Sequence, residues 1–467
     1  MKKLILLAGQ SNMSGRDIVP PEDLIPLPGV TVLGKDGVWR EAIEPITKDR
    51  DFVGTFAADG TKRVSASPWD IVLPGEGDVS RGVGPGRTFA RLLRDDHPDW
   101  DIGLLPCSVG GTPISAWFAG AVDPSHPECH PYDEAIALAR KAIAEGGEIV
   151  AILWHQGEGD ASRRTENYAD LLQSVIRNFR SDLGLAKSVP FLMGELATFY
   201  NSGIRDGMAP VNEAMHAAAA ALPAVAVVKA HDFGHQGDSL HFNAESAHLF
   251  GARLFAAYRR LEGRPLPKVV LLGDSIRLGY DKYVRERLYG KAEVLFPGEN
   301  CAFAQNVLRK VDMWKNGGGW GDDVALVHWN AGLWDTLLLD GEGTMTPLPV
   351  YGEFLARIHR RLRRHFPAAK LVFATSTPVL EEDYKDPGHF LRRNADIEAF
   401  NAAARRVLEP EGEAIDDLYA AMSEAPAEEH SDMTHWYTPA GTKRIGDAVL
   451  RCLAAQEYGL LRNTLLP

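Results

Sequence analysis

Short apolar runs alternate with amphipathic helical patterns along this chain, and this alternation limits the folds open to it. In the first half the apolar runs lie at 3–8, 102–106, 149–154, 189–194 and 225–229. Helical patterns with apolar residues at i, i+3 and i+4 separate most of these runs, for example at 168–179 and 211–222. Strands that are apolar throughout and alternate with helices indicate a parallel sheet covered on both faces. We therefore predict an α/β sandwich with a flavodoxin-like strand order.

The same scheme returns in shorter form in the second half of the chain. Its predicted strands lie near 269–272, 292–296, 324–329 and 371–375, and its predicted helices near 351–365 and 394–408. At 467 residues the chain is too long for one ordinary core. We predict two tandem flavodoxin-like, three-layer α/β/α domains with mostly parallel sheets. The predicted domains cover 1–262 and 268–467, with a short linker at 263–267 that holds two prolines and a glycine.

Charge and composition exclude several classes of function. The net charge of −13 argues against binding to nucleic acids or to anionic membranes, both of which need a basic surface. No segment approaches the ~20 apolar residues of a membrane span, and the apolar run after Met1 is so short that we interpret it as a first strand. The four cysteines have no disulfide-framework spacing, which favours a cytoplasmic location. The histidines at 126 and 130 lack a second ligand pair, so we predict neither a metal nor another cofactor.

A serine follows the first apolar run of each half, and an Asp-x-x-His sequence follows far downstream. Ser11 is followed by Asp238 and His241, and Ser275 is followed by Asp432 and His435. A serine hydroxyl becomes a useful nucleophile when a base takes its proton and a third group orients that base. Because ligands gather at the carboxyl ends of parallel strands, both serines are predicted to lie where a substrate binds. These six residues are our candidate catalytic groups.

Acyl transfer also requires hydrogen-bond donors for the developing oxyanion. Gly111 follows the second apolar run of the first half, and a glycine there lets a backbone N–H approach a ligand closely. Gln156 follows the third run and places an amide at the same edge of the predicted sheet. We expect the N–H groups of Ser11 and Gly111 and the Gln156 side chain to be the donors, although in isolation the last two residues fit a tight turn and a surface amide better.

Five ordered blocks of the first half resemble carbohydrate esterase family 6 and the related sialate O-acetylesterase domain, within the SGNH hydrolase superfamily. The blocks are Gly9-Gln10-Ser11-Asn12-Met13, Gly84-Pro85-Gly86, Gly111-Thr112-Pro113-Ile114, Trp154-His155-Gln156-Gly157-Glu158 and Asp238-Ser239-Leu240-His241. The resemblance covers most of residues 1–260. It implies a metal-independent serine mechanism that removes O-acetyl groups from sugars, with Ser11 as nucleophile, His241 as base and Asp238 as the group that orients the base.

The second half resembles the wider GDSL group of the same superfamily. Gly273-Asp274-Ser275-Ile276 is similar to the first block of that group, and Asp432-Met433-Thr434-His435 is similar to its last. Residues 329–335 can be laid over residues 154–160, which pairs Asn330 with His155 rather than with Gln156. We choose Asn330 and Gly298 as the oxyanion donors of the second half. A degenerate second domain that binds sugar without catalysis stays open as an alternative.

The resemblance leads to a specific expectation about function. We predict a two-site carboxylic ester hydrolase that removes acetyl groups from plant-type oligosaccharides such as acetylated xylo-oligosaccharides. The alternative substrate is an O-acetylated sialic acid. The irregular stretch 17–85 is predicted to form one wall of the substrate cleft. The predicted substrate contacts are Gln10, Trp117, Glu158 and Trp334, although each tryptophan is as compatible with a place in the core.

Overall fold

The computed structural model describes residues 1–47, 82–339, 342–381 and 391–456. The chain divides into two compact units, Met1–Pro265 and Leu266–Pro467. Each unit is an α/β structure whose main sheet is mostly or wholly parallel, which confirms the predicted fold class.

The main sheet of the first unit has seven described strands. They are β1 (Lys3–Gly9), β2 (Val30–Leu33), β3 (Trp39–Glu41), β4 (Ile102–Pro106), β5 (Glu148–His155), β6 (Phe191–Gly194) and β7 (Val225–Val228). Their order is β3-β2-β4-β1-β5-β6-β7, and every neighbouring pair is parallel except β2 and β3. The run β4-β1-β5-β6-β7 is the flavodoxin-like order, whose ligand crevice lies beside the first strand.

Helices cover both faces of this sheet. They are α1 (Ser11–Ser14), α2 (Pro85–Asp96), α3 (Pro131–Ala144), α4 (Glu158–Arg163), α5 (Tyr168–Asp182), α6 (Ser202–Ala221) and α7 (Ala244–Leu261). Helices α2 and α7 pack together through Phe89, whose ring meets Phe255 and Tyr258 edge-on. Because β1 is covered on both sides, its residues 4–8 are all at most 1% exposed. This burial explains why the strand is apolar throughout rather than alternating.

The second unit has the same core order of strands. They are β8 (Lys268–Leu272), β9 (Glu293–Leu295), β10 (Val324–Trp329), β11 (Leu338–Leu339), β12 (Gly343–Thr344), β13 (Lys370–Ala374) and β14 (Ala414–Asp416). The main sheet runs β14-β13-β10-β8-β9 and is parallel throughout, while β11 and β12 form a separate antiparallel pair. Read from β9, this is again the flavodoxin-like order, with β8 and β10 at its centre.

Alternate residues of the central strands in the second unit belong to two separate apolar cores, one on each face of the sheet. Val270 and Phe373 belong to one apolar cluster, while Val269 and Val372 belong to the other. The period of two in a strand places neighbouring side chains on opposite faces, so a three-layer structure results. The helices that complete these layers are α8 (Ser275–Leu288), α9 (Ala304–Gly318), α10 (Leu348–His365), α11 (Asn394–Leu408), α12 (Leu418–Ser423) and α13 (Pro439–Ala455).

Five strands were not predicted from the sequence, namely β2, β3, β11, β12 and β14. The first two extend the sheet of the first unit beyond β4, and Trp39 packs there beneath the ammonium group of Lys2. Much of the predicted cleft wall, residues 48–81, lies outside the described residues. Among the helices that the structure describes, none has the length and apolar character needed to cross a membrane.

Candidate active sites

Ser11 lies at the carboxyl edge of the first sheet, where β1 ends. Gly9 has a φ of +120°, and a Cβ atom on it would lie 2.1 Å from the carbonyl oxygen of His155. Only glycine tolerates both the conformation and the close approach. The next N–H, that of Gln10, donates to the same carbonyl at 2.8 Å. These contacts seat Ser11 at the start of α1, in the crevice beside β1 where this strand order places ligands.

Ser11, His241 and Asp238 form a continuous chain of hydrogen bonds. The Oγ of Ser11 is 3.2 Å from Nε2 of His241, and Nδ1 of His241 is 2.6 Å from Oδ2 of Asp238. The other carboxylate oxygen of Asp238 accepts the backbone N–H groups of Leu240 and His241 at 2.9 and 2.8 Å. The loop is anchored by α7, whose N-cap, Asn243, accepts from the N–H of residue 246. The geometry is that of a nucleophile, a base and a group that orients the base.

The electrostatics keep Asp238 ionised and His241 able to accept a proton. Burial alone would raise the pKa of Asp238, but hydrogen bonds from the backbone and side chain of His241 and from Gln236 outweigh it and lower the pKa to about 2. Burial lowers the pKa of His241, and the Asp238 carboxylate opposes this only in part. Imidazole is therefore favoured over imidazolium, and only imidazole can take a proton from Ser11.

Ser275, His435 and Asp432 form a second hydrogen-bonded chain, at the carboxyl edge of the other sheet. Ser275 Oγ lies 2.9 Å from Nε2 of His435, and Nδ1 of His435 lies 2.7 Å from Oδ2 of Asp432. Asp432 Oδ1 accepts the N–H groups of Thr434 and His435. Burial would raise the pKa of Asp432, but these hydrogen bonds lower it. The N-cap of α13, Thr438, accepts from the N–H of residue 441 and holds the loop against the helix.

The two predicted glycine donors lie in comparable loops. Gly111 is exposed and has a φ of +75°, and a Cβ added to it would meet nothing within 4 Å. Its N–H has no hydrogen-bond partner among the described residues. Gly298 is also exposed, and its loop is fixed by Arg277, which donates to the carbonyls of residues 297 and 299. The N–H of Cys301 closes the loop against the carbonyl of Gly273, two residues before Ser275.

The first unit matches a protein family along its full length. Residues 1–260 match the family described as carbohydrate esterase, sialic acid-specific acetylesterase. The chain belongs to this family. It is also 30% identical over 276 residues to a probable carbohydrate esterase of Arabidopsis thaliana, an alignment that covers 55% of this chain and 90% of that protein. The protein is a carboxylic ester hydrolase, and the family supports acetylesterase activity.

Solved structures similar to the esterase cover about half of its chain. An X-ray structure of a protein from Arabidopsis thaliana has 28% identity and a TM-score of 0.43, and the match covers 56% of this chain and 98% of that one. A carbohydrate acetylesterase from Xanthomonas citri has 21% identity and a TM-score of 0.38, and the match covers 56% of each chain.

Two aspartates of the esterase hold equivalent positions behind the two serines. Asp160 accepts the N–H of Ile114 at 2.8 Å and the hydroxyl of Thr165 at 2.6 Å. Asp335 accepts the N–H of residue 304 at 3.0 Å and the hydroxyl of residue 346 at 2.7 Å. Asp160 thus links the segment after β5 to the loop after β4. Asp335 likewise links the segment after β10 to the loop after β9. The overlay of residues 154–160 on residues 329–335 agrees with these contacts.

The predicted role of Gln156 as an oxyanion donor is wrong for the described structure. Its amide nitrogen donates to the carbonyl oxygen of Thr112 at 3.1 Å and to the carboxylate of Asp160, so both N–H bonds are used. Its amide oxygen accepts from the Tyr168 hydroxyl at 2.9 Å. Gln156 is fully buried and ties the loops together instead. Asn330 differs, because its amide donates to one backbone carbonyl, that of residue 374, and retains a second N–H.

Burial also contradicts three of the four predicted substrate contacts. Trp117 is fully buried, packs edge-on against Trp154 at 5.1 Å, and is therefore part of the core. Glu158 is 2% exposed, and its carboxylate accepts hydrogen bonds inside the protein. Gln10 is 3% exposed, and its amide oxygen accepts the N–H of residue 157 at 3.3 Å. Trp334 is half-buried, so its predicted contact with substrate stays a prediction.

A small cavity is lined by the two residues that flank Ser275, together with parts of other segments. Asp274 lines it with Ser376, Thr377 and Asn330, among others. The Asp274 carboxylate is fully buried and caps α8 by accepting the N–H of residue 276 at 2.9 Å. Burial raises its pKa, against that hydrogen bond and nearby positive charges. The lining combines these polar groups with apolar side chains such as Ile276 and Leu333.

One cluster of described residues has the composition of a metal site. The ligand atoms of Asp96, His97 and Glu262 lie within 4.8 Å of one another. Arginines already occupy these carboxylates, since Arg259 and Arg264 both pair with Asp96 and Arg264 also pairs with Glu262. The positive charge that a cation would supply is therefore present in the side chains themselves.

Proposed function

We propose that the protein is a carbohydrate O-acetylesterase with two active sites, which removes acetyl groups from plant-type oligosaccharides such as acetylated xylo-oligosaccharides. The observation that carries the proposal is the unbroken chain of hydrogen bonds from serine to histidine to aspartate at the carboxyl edge of each sheet. The two chains have the same atoms in the same order. Such a constellation is recognised by geometry and roles rather than by sequence position.

In the first site, Ser11 Oγ attacks the acetyl carbonyl carbon while His241 Nε2 accepts the hydroxyl proton. The carbonyl π electrons move to the oxygen, and a tetrahedral oxyanion forms. Asp238 stays ionised, holds Nδ1–H of His241 and stabilises the imidazolium. The oxyanion then collapses, the bond to the sugar oxygen breaks, and the imidazolium gives its proton to the departing alkoxide. The products of this half-reaction are the free sugar hydroxyl and an acetyl ester on Ser11.

Deacylation repeats the sequence with water as the nucleophile. His241 takes a proton from water, the resulting hydroxide attacks the acetyl carbon, and the proton passes to Ser11 Oγ as the acetyl–Oγ bond breaks. Acetic acid leaves and loses its remaining proton to solvent to give acetate. The N–H groups of Ser11 and Gly111 are the proposed oxyanion donors. Gly111 suits this role because no side chain limits access to its N–H. The Gln156 side chain, which the sequence suggested as a third oxyanion donor, is not part of this proposal.

The second site is proposed to run the same cycle with Ser275, His435 and Asp432. Its serine and imidazole are at 2.9 Å, closer than the 3.2 Å of the first site. The proposed oxyanion donors are Gly298 and the remaining N–H of Asn330. The hydrogen bond between Ser275 and His435 favours catalysis over the alternative of a second unit that only binds sugar. Under that alternative, Ser275→Ala would leave turnover unchanged.

The substrate class rests on family likeness and on charge. A chain with a net charge of −13 has no general attraction for anionic ligands, which favours a neutral oligosaccharide. The family description favours a second candidate, an O-acetylated sialic acid, whose carboxylate would require local positive charge near the site. We also propose a cytoplasmic location, supported by four cysteines of which none forms a disulfide.

The test is time-resolved NMR of acetylated xylo-oligosaccharides, with each acetyl position followed separately. The enzymes compared are the wild type, Ser11→Ala, Ser275→Ala and the double variant. Each single variant is expected to lose its own site's turnover, on the order of 10³-fold or more, and the double variant to lose both. Activity in the double variant would refute the serine mechanism. Faster release of acetate from O-acetylated sialic acid than from xylo-oligosaccharides would replace the proposed substrate by the second candidate.

A further inference from the structure

The side chain of Asn12 bridges the serine helix and the histidine loop of the first site. Its amide oxygen accepts the N–H of Phe242 at 2.9 Å, and its amide nitrogen donates to the carbonyl oxygen of Leu240 at 3.2 Å. These two backbone groups flank His241 on either side. Asn12 itself directly follows Ser11. One short side chain therefore joins the element that carries the nucleophile to the residues before and after the base.

The orientation of this amide is fixed from its other side. The amide nitrogen of Asn12 also lies 2.7 Å from Oε1 of Glu158 and 3.1 Å from the hydroxyl of Tyr200. Both partners are acceptors for an N–H, and the Tyr200 hydroxyl in turn donates to the same Glu158 oxygen at 3.2 Å. Rotating the amide by 180° would place its oxygen against a carboxylate and its N–H against the N–H of Phe242. Two N–H bonds are thus shared among three acceptors, and only this orientation directs them toward acceptors while the oxygen faces the N–H of Phe242.

Glu158 is held as a buried carboxylate that can make this contact. Burial alone would raise its pKa, but the charge and hydrogen bond of His155 and the hydrogen bond from Asn12 outweigh it, and the pKa is lowered. Nδ1 of His155 lies 3.3 Å from Oε1 of Glu158, and neither residue is more than 2% exposed. Oε1 of Glu158 is well paired, so loss of the Asn12 N–H would leave a buried carboxylate with fewer donors, which is costly.

We propose that Asn12 is a positioning residue that sets the distance and angle between Ser11 and His241. The inference rests on the proposed function, since it assigns to Asn12 the alignment of that nucleophile and base. The contacts hold the residues on both sides of His241 in place relative to Ser11. The distance from Ser11 Oγ to His241 Nε2 is 3.2 Å. Misplacement by about 1 Å costs on the order of 10²-fold in rate, so a clamp at this point controls turnover.

The second unit shows that the clamp is particular to the first site. The residue after Ser275 is Ile276, an apolar side chain that is buried and cannot bridge backbone groups. A tyrosine joins the two elements instead, because the Tyr437 hydroxyl donates to the carbonyl oxygen of Ser275 at 2.7 Å. Asn12 is therefore not a requirement of the strand order or of the Asp-x-x-His loop. It belongs to the chemistry of the first site.

The experiment uses the full chain carrying Ser275→Ala, so that turnover reports the first site alone. Asn12→Ala in this parent is expected to lower kcat on the order of 10²-fold and to change KM less than threefold. A freed loop is more exposed to water, so the acid limb of kcat/KM should move up toward pH 6.5, the ordinary imidazole value. Covalent labelling of Ser11 by a small fluorophosphonate, which needs no sugar contact, should slow in parallel.

The matched control is Ser14→Ala on the same short helix. The Ser14 hydroxyl forms a hydrogen bond of 2.9 Å with the hydroxyl of Ser108. The control variant should keep kcat, the acid limb and the labelling rate of the parent. If Asn12→Ala does not fold, Asn12→Asp replaces it, and adding Glu158→Gln supplies a donor facing the new carboxylate. That pair should recover part of the lost kcat and labelling rate.

Three results would overturn the assignment: a kcat within threefold of the parent, a loss confined to KM, or an unchanged acid limb and labelling rate. Failure of the proposed function would be detected separately, by measuring turnover in a reference enzyme that carries both Ser11→Ala and Ser275→Ala. If that double variant kept its turnover, Ser11 would not be the nucleophile, whatever Asn12→Ala does.

Discussion

The imidazole of His435 lies stacked on the ring of Tyr437, with their centroids 4.7 Å apart and their planes inclined by 26°. The same tyrosine donates its hydroxyl proton to the carbonyl oxygen of Ser275 at 2.7 Å. One side chain thus contacts both the base and the nucleophile residue of the second site. Tyr437 is 45% exposed, so it also forms part of the outer wall of that site.

Substitution of Tyr437 is therefore expected to affect the second site in two steps. Tyr437→Phe keeps the stacking on His435 but loses the hydroxyl contact with Ser275, and a neutral hydrogen bond contributes about 0.5–1.5 kcal/mol. We expect kcat/KM to fall about threefold to tenfold in a parent that carries Ser11→Ala. Tyr437→Ala loses both contacts and should cost more. Equal rates for the parent and both variants would show that the tyrosine does not support His435.

The first site should stay active below the ordinary pKa of imidazole. Because burial lowers the pKa of His241, the base form persists as the pH falls through 6.5, and protonation stops turnover only at lower pH. In the Ser275→Ala parent, the acid limb of kcat/KM should therefore have its midpoint below 6.5. A profile of rate against pH from 4 to 8 measures it. A midpoint above 6.5 would contradict the buried, neutral imidazole.

Asp238→Asn gives an independent check on the same network. The Asp238 carboxylate raises the pKa of His241, so its loss should move the acid limb to still lower pH. The amide also favours the wrong imidazole tautomer, and kcat should fall on the order of 10³- to 10⁴-fold. Acetate release measures the residual activity of the Asp238→Asn variant. An acid limb that moved upward instead would show that the carboxylate does not contact the imidazole in solution.

The elements that the sequence predicts well are those with local signals. The apolar runs predict β1 and β10 within one residue at each end, because both strands are buried on two faces. The Asp-x-x-His sequences predict two hydrogen-bonded pairs, since aspartate and histidine three residues apart meet within one loop. Strand β14 has only three residues, and no periodicity can be recognised over so short a length.

The errors concern side chains whose partners are remote in sequence. The amide of Gln156 contacts Thr112, 44 residues earlier, and no local pattern distinguishes that contact from a bond to a ligand. Asn12 meets Leu240 from 228 residues away, so its role emerges only when β1 and the histidine loop are brought together. Tyr437 lies two residues after His435, so its proximity to the imidazole could have been predicted from the sequence. Proximity in sequence does not, however, determine how the two rings stack.

Trp117 illustrates how a predicted ligand contact becomes a prediction about stability. It is fully buried, and its indole N–H donates to the Thr112 hydroxyl at 3.1 Å. Trp117→Ala should lower the free energy of unfolding of the first unit by about 3–5 kcal/mol, the cost of a large buried cavity. Urea denaturation measures it. Per folded molecule KM should change little, whereas a large rise in KM at unchanged stability would restore the role in sugar binding.

Asp335 makes the stability of the second unit depend on pH. Burial raises the pKa of its carboxyl to about 6, against the hydrogen bonds from Thr346 and Ala304 that lower it. The ordinary value is 3.8, so between about pH 4 and 6 the folded state binds more protons than the unfolded state. The free energy of unfolding therefore falls as the pH rises through this window, by at most about 3 kcal/mol.

Asp335→Asn should remove this dependence, because the amide is neutral at every pH in the window. The measurement is the urea midpoint of the full chain at pH 4 and pH 7, compared with wild type. The control is Asp322→Asn, at a side chain that is 84% exposed and should alter the pH dependence little. Wild type should lose stability relative to Asp335→Asn as the pH rises from 4 to 7. The opposite sign would mean that the Asp335 carboxylate is stabilised, rather than penalised, by its surroundings.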